Sequence, residues 1–164
     1  MGIVKSTDGG ENWKEINTGI SNEYLNDLVI DPFTPATLFA GTSGGMFMST
    51  DSGENWYEIN TGFDSLDIRA LAIDPLITST VFAATQIGLI KTVDGGKSWI
   101  EINLGESNPF VSALAINPIT PTSLYVMRSC ALRSRPGSLS RNGQMRLFER
   151  LPARWNRNSG GPTL

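Results

Sequence analysis

The 164-residue chain contains no histidine and a single cysteine, Cys130. Without histidine the commonest general base and metal ligand is missing, and a lone cysteine cannot close a disulfide within the chain. Basic residues are scarce over most of the length. Residues 1–127 carry Lys5, Lys14, Arg69, Lys91 and Lys97 against fifteen acids, a net charge of −10. There is no apolar run long enough to cross a bilayer as a helix and no charged-then-apolar leader segment. Nor does any segment sustain a helical hydrophobic period, which leaves short extended runs as the building material.

What is present is repetition. Ser6-Thr7-Asp8-Gly9-Gly10-Glu11-Asn12-Trp13 returns as Ser49-Thr50-Asp51-Ser52-Gly53-Glu54-Asn55-Trp56 and again as Thr92-Val93-Asp94-Gly95-Gly96-Lys97-Ser98-Trp99. The aspartates stand at 8, 51 and 94, so both intervals are 43 residues, and a fixed period of that size marks a repeat architecture. Gly2 falls in phase with Gly45 and Gly88, which explains it better than its match to a short myristoylation pattern.

Turn signals divide each period into four short runs, the pattern of a four-stranded blade. The first run is Asp27-Leu28-Val29-Ile30, recurring as Ala70-Leu71-Ala72-Ile73 and Ala113-Leu114-Ala115-Ile116, each stopped by Asp-Pro or Asn-Pro. Its continuous apolar character predicts a strand buried on both faces. The second run is Leu38-Phe39-Ala40 and its equivalents. The third follows a glycine turn, as Met46-Phe47-Met48 or Leu89-Ile90-Lys91, and the fourth begins at each box tryptophan. Counted this way, residues 2–17 supply a half blade, 26–60 and 69–103 two full blades, and 111–127 another half. Three blade-equivalents are fewer than the four to eight that usually close a propeller. The expectation is an open or partial propeller whose free strand edges invite self-association.

After Val126 the period fails. Residues 128–164 hold eight arginines and one acid, a net charge of +7, with Ser- and Gly-rich sequence. This reads as a separate tail that is either disordered for want of apolar residues or frameshift-derived. Any nucleic-acid contact would rest on that tail alone, and none is expected.

Within the box, the aspartate (Asp8, Asp51, Asp94) is suited to accept hydrogen bonds from backbone N–H groups ahead of it. The glycine (Gly10, Gly53, Gly96) takes a left-handed conformation without steric cost. The hydroxyl residues Ser6, Ser49 and Thr92 open the turn, and Trp13, Trp56 and Trp99 bury surface at the next strand. The box is therefore expected to be structural, with no catalytic residue.

The pattern Ser/Thr-x-Asp-x-Gly-x-x-Trp resembles the Asp-box, or bacterial neuraminidase repeat. The flanking Gly-x-Phe-x-Ser and Ala-Ile-Asp-Pro elements are similar to those of Asp-box β-propellers, over residues 2–127. The resemblance implies all-β propeller blades with the box on the hairpin between third and fourth strands, and leans toward a secreted or periplasmic setting. It spans sialidases, xyloglucanase-type glycoside hydrolases, sortilin-type receptors and photosystem II assembly-factor-type propellers, so it does not choose a function. A sialidase-like site would need three arginines on the substrate carboxylate, and residues 1–127 contain only Arg69.

A hydrolase would need two carboxylates about a sugar cleft. With the box and pre-proline acids assigned to turns, the loop acids Asp64 and Asp67 are the candidates for a ligand-facing surface. The Asp64-Ser65-Asp67 spacing lacks the oxygen-rich loop of a calcium site, so no metal or cofactor is expected. The resulting expectation is a non-catalytic scaffold binding protein or glycan, part of a larger propeller. The alternative is a fragment of a xyloglucanase-like hydrolase.

Overall fold

The computed structural model describes residues 2–20, 24–62, 67–105 and 110–129. Asp64, and the tail from residue 130 onward, lie outside the described residues. Twelve strands occupy them: β1 (Val4–Lys5), β2 (Lys14–Glu15), β3 (Leu25–Ile30), β4 (Leu38–Thr42), β5 (Gly45–Ser49), β6 (Tyr57–Glu58), β7 (Ile68–Ile73), β8 (Val81–Thr85), β9 (Gly88–Thr92), β10 (Ile100–Ile102), β11 (Phe110–Ile116) and β12 (Leu124–Ser129). No helix occurs among the described residues. All strand pairs are antiparallel. They form two four-stranded sheets, β3-β4-β5-β6 and β7-β8-β9-β10, and two two-stranded sheets, β1-β2 and β11-β12.

The turns follow from the sequence. Asp31 Oδ1 accepts the N–H groups of Phe33 and Thr34 at 2.8 and 3.0 Å. Asp74 does the same for Leu76 and Ile77, and Asn117 for Ile119 and Thr120. Each Asx turn ends the first strand of a blade and starts the return to the second. The second turn uses Gly45 at φ 138° and Gly88 at φ 151°, with Thr42 Oγ1 donating to the Gly45 carbonyl at 2.9 Å.

A β-bulge recurs in phase between the first two strands of each unit, at Leu25/Asp27, Ile68/Ala70 and Val111/Ala113. One residue is therefore extra at each place, namely Asn26, Arg69 and Ser112.

Neighbouring blades stack face to face. Phe39 and Met46 of one blade pack with Ile68, Leu71, Val81, Ala83, Ile90 and Trp99 of the next. Ile3 and Ile16 of the β1-β2 sheet pack with Leu38, Ala40, Phe47 and Trp56. The last junction is Ala70 and Ala84 against Val111.

The expectation that first strands are buried on both faces needs correction for β3, where burial alternates along the strand, and for β11, where none of Ala113 to Ile116 is fully buried. Leu28 is 39% exposed and Ile30 54%, whereas Leu71, one period later, is 5% exposed. The cause is neighbours: β7 lies between β3 and β11, while β3 has a first strand against only one of its faces among the described residues.

Candidate functional site

The three boxes adopt one geometry. In the first, the Ser6 hydroxyl donates to Asp8 Oδ1 at 2.7 Å and accepts from Gly10 N–H at 2.8 Å. Asp8 also accepts from the backbone and side chain of Asn12 at 3.0 and 2.7 Å. The second box repeats this with Ser49, Asp51, Gly53 and Asn55, and the third with Thr92, Asp94, Gly96 and Ser98.

The glycines sit at φ 98°, 92° and 93°, and the residues before them, Gly9, Ser52 and Gly95, are also left-handed at 77°, 64° and 73°. These bonds favour the ionised carboxylates. Asp51 is held at about 2, first by the Asn55 side chain and then by its backbone. Asp8 and Asp94 lie well below the ordinary range, led by the Asn12 N–H and the Ser98 hydroxyl respectively.

The tryptophans divide. Trp56 and Trp99 are each 3% exposed, and their indole N–H groups donate to the Ile16 and Ile59 carbonyls of the preceding sheet at 2.8 and 2.9 Å. Their backbone N–H groups donate to the Thr18 and Thr61 carbonyls in the turns that follow β2 and β6. Trp13, expected to bury its surface likewise, is 63% exposed. Its indole N–H turns back to the Gly10 carbonyl at 3.0 Å, because the described residues include no preceding sheet. It borders a shallow cleft of about 210 Å³ with Lys5, Thr7, Asp8, Asn12, Lys14 and Glu54.

Of the two loop acids, the structure describes Asp67. It forms an ion pair with Arg69 at 2.7 Å, with the two side chains about a quarter and a third exposed. The guanidinium lies over the Phe110 ring, 4.3 Å from its centroid. Asn26 donates to Asp67 at 3.4 Å and to the Ile68 carbonyl at 2.8 Å, and Asp27 accepts the Leu71 N–H at 2.7 Å.

These residues all lie where β3, β7 and β11 begin, at or beside the recurrent bulges. A bulge re-aims the side chain it carries, and here it turns Arg69 between an acid and an aromatic ring. In the 43-residue phase, Tyr24, Asp67 and Phe110 are equivalent. Three unlike side chains thus hold one position, as Asn26, Arg69 and Ser112 do two residues on, and Tyr24 is 69% exposed.

Sequence reasoning had singled out Asp67 and missed Arg69, Phe110 and Tyr24. The available signal was their departure from the repeat at the strand starts. Among the described residues no three His, Cys, Asp or Glu side chains cluster as a metal site would need.

Comparison with protein-family models finds no match, and comparison with curated protein sequences finds none either. Solved structures do match. An ancestral GH74 enzyme superposes with a TM-score of 0.60 at 20% identity, over 76% of this chain and 18% of that one. YCF48 bound to a D1 peptide gives 0.58 at 20%, over 76% and 40%. The extracellular domain of a hybrid two-component system from B. thetaiotaomicron gives 0.58 at 16%, over 76% and 17%. All are β-propeller types, and at these identities the likeness speaks to the fold. This chain is all-β with propeller-type four-stranded blades, and it spans from 17% to 40% of the length of these proteins.

Proposed function

We propose that the Asp-box repeats, expected over residues 1–127 and carried by β12 to Ser129, form part of a larger β-propeller, a non-catalytic scaffold that binds a protein or carbohydrate ligand, with the Arg-rich remainder a separate tail. The observation that carries this reading is the employment of the aspartates among the described residues. Those of the boxes each serve a turn, Asp31 and Asp74 cap the strand-ending turns, Asp27 bridges two blades, and Asp67 is tied to Arg69. Such groups are fixed as hydrogen-bond acceptors rather than poised to move protons.

The starts of β3, β7 and β11 supply the binding surface, with an aromatic-backed arginine paired to an acid and an exposed tyrosine at the equivalent position before β3. Aromatic and arginine side chains are the types that dominate recognition surfaces. Repeat scaffolds characteristically recognise ligands through such non-repeating side chains. Peptide binding by the neighbour YCF48 supports a protein ligand, and the extracellular neighbour supports an exported setting.

The alternative, a xyloglucanase-like hydrolase fragment, draws on the GH74 neighbour. A panel of glycans and peptides, tested for binding by calorimetry and for turnover by reducing-end assay, separates the two. The expected result is binding without turnover, weakened about tenfold or more by Arg69→Ala. Glycan turnover abolished by Asp64→Asn or Asp67→Asn would establish the hydrolase instead.

A further inference from the structure

Arg69 is the one arginine of residues 1–127, and its place in the fold is specific. It is the extra residue of the bulge between Ile68 and Ala70, and bulges recur where a side chain is re-aimed beside a functional surface. The strand that carries it, β7, is flanked by β3 and β11, so the contacts of Arg69 with Asp67 and Phe110, and of Asp67 with Asn26, are all made inside the described array.

This cluster is rich in donors and has spent its acceptors. A guanidinium carries five N–H donors, and among the described residues one acceptor serves Arg69, the Asp67 Oδ2 at 2.7 Å. Arg69 Nε is buried with no acceptor among the described residues, and a buried donor in a native fold calls for a partner. The Phe110 ring, 4.3 Å from the guanidinium, holds the fork in one orientation, while the side chain stays about a third exposed. The neighbouring carboxylate oxygens are each engaged: Asp67 Oδ1 takes the Asn26 amide, and the two oxygens of Asp27 take the N–H groups of Leu28 and Leu71.

That imbalance selects the chemistry of a ligand. A sugar hydroxyl brings a hydrogen with its oxygen, and that hydrogen would meet carboxylates already occupied. A ligand carboxylate brings acceptors alone, but it meets two acids for one guanidinium in a region of net charge −10. A main-chain carbonyl brings an acceptor without charge, and in a trans peptide its N–H points the opposite way, out of the site.

We infer that Arg69 recognises a peptide segment, its unused N–H groups donating to an uncharged main-chain carbonyl oxygen of the ligand while Asp67 and Phe110 hold the guanidinium in place. This rests on the reading of the strand starts as the binding surface and names the ligand there as peptide rather than glycan.

The test selects binders to the full chain from a random peptide display library and resynthesises them with both ends capped. In titration calorimetry, a scan of single backbone esters, each weakening one carbonyl as an acceptor, is expected to find one position that costs about two- to tenfold in affinity. In Arg69→Ala that same ester is expected to have no effect, a coupling that an arginine acting only through the fold would not produce. Phe110→Leu keeps the arginine and removes its platform, so binding is expected to weaken while the ester is still felt. Lys97→Ala, in the third box, is expected to leave binding unchanged, and urea midpoints check that each variant is folded.

A library that yields no binder, binders held only through a free carboxylate, or an ester scan that never couples to Arg69 would each overturn the inference. Binding of xyloglucan oligosaccharides that is lost in Arg69→Ala would overturn it while leaving the scaffold reading intact, whereas turnover of those oligosaccharides would remove that reading as well.

Discussion

The residue that decides most locally is the box aspartate, and its effect is pH-dependent in a defined direction. Hydrogen bonds to the carboxylate lower its folded-state value below the ordinary 3.8, to about 2 for Asp51. The folded chain therefore binds fewer protons than the unfolded one as the pH falls through this range. The stabilisation is complete above about pH 4 and is lost on descending toward pH 2. Urea unfolding midpoints should fall across that window, and less steeply in Asp51→Asn, which has no charge to neutralise.

Glycine is equally specific at Gly62, where φ is +97° and an added Cβ would stand 2.8 Å from the Trp99 carbonyl oxygen. Gly62→Ala combines left-handed strain with a backbone clash and should cost about 2 kcal/mol or more in urea titration.

At the scale of the element, the third and fourth strands within a blade are held together by side chains that stand in for missing ladder bonds. Two residues beyond the short fourth strand β6 stands Asn60, whose Oδ1 accepts the Met46 N–H at 2.7 Å, and Asn17 does the same for Ile3 at 2.6 Å. Asn60→Ala leaves that amide without its partner and should cost about 1–3 kcal/mol by chemical denaturation. Asn60→Asp keeps an acceptor for that amide but sets a carboxylate against Glu58, to which the Asn60 Nδ2 donates, and should restore only part of it.

Strand existence, turn chemistry and blade phase were legible because Asp-Pro, paired glycines and the box act through local backbone bonds. Long-range placement was not. Leu28 and Leu71 look alike in sequence, and what separates 39% from 5% exposure is whether a neighbouring blade covers the strand. Trp13 differs from Trp56 for the same reason. Arg69 and Phe110 lie 41 residues apart, so their stacking became visible only once the bulges and the junction of β7 with β11 were placed.

At the largest scale, the described blades meet at successive junctions, each with its own apolar cluster. Trp56 belongs to the cluster shared with Ile3 and Ile16, Trp99 to the one shared with Phe39 and Met46. Each indole closes a hydrogen bond onto the sheet before it, so Trp56→Phe and Trp99→Phe should each cost about 1–2 kcal/mol. Because the clusters are separate, the double variant should lose the sum to within about 0.5 kcal/mol in urea titration.

The repeat also places the same chromophore in unlike surroundings. With Trp155→Phe to remove the tail's indole, two emitters are shielded and the third, at 63% exposure, faces water. Steady-state fluorescence should resolve a blue-emitting, quencher-resistant pair from a red-emitting component open to acrylamide. Any neighbour that covers the first box then announces itself by shifting that component to the blue, so the protein carries its own optical gauge of blade stacking.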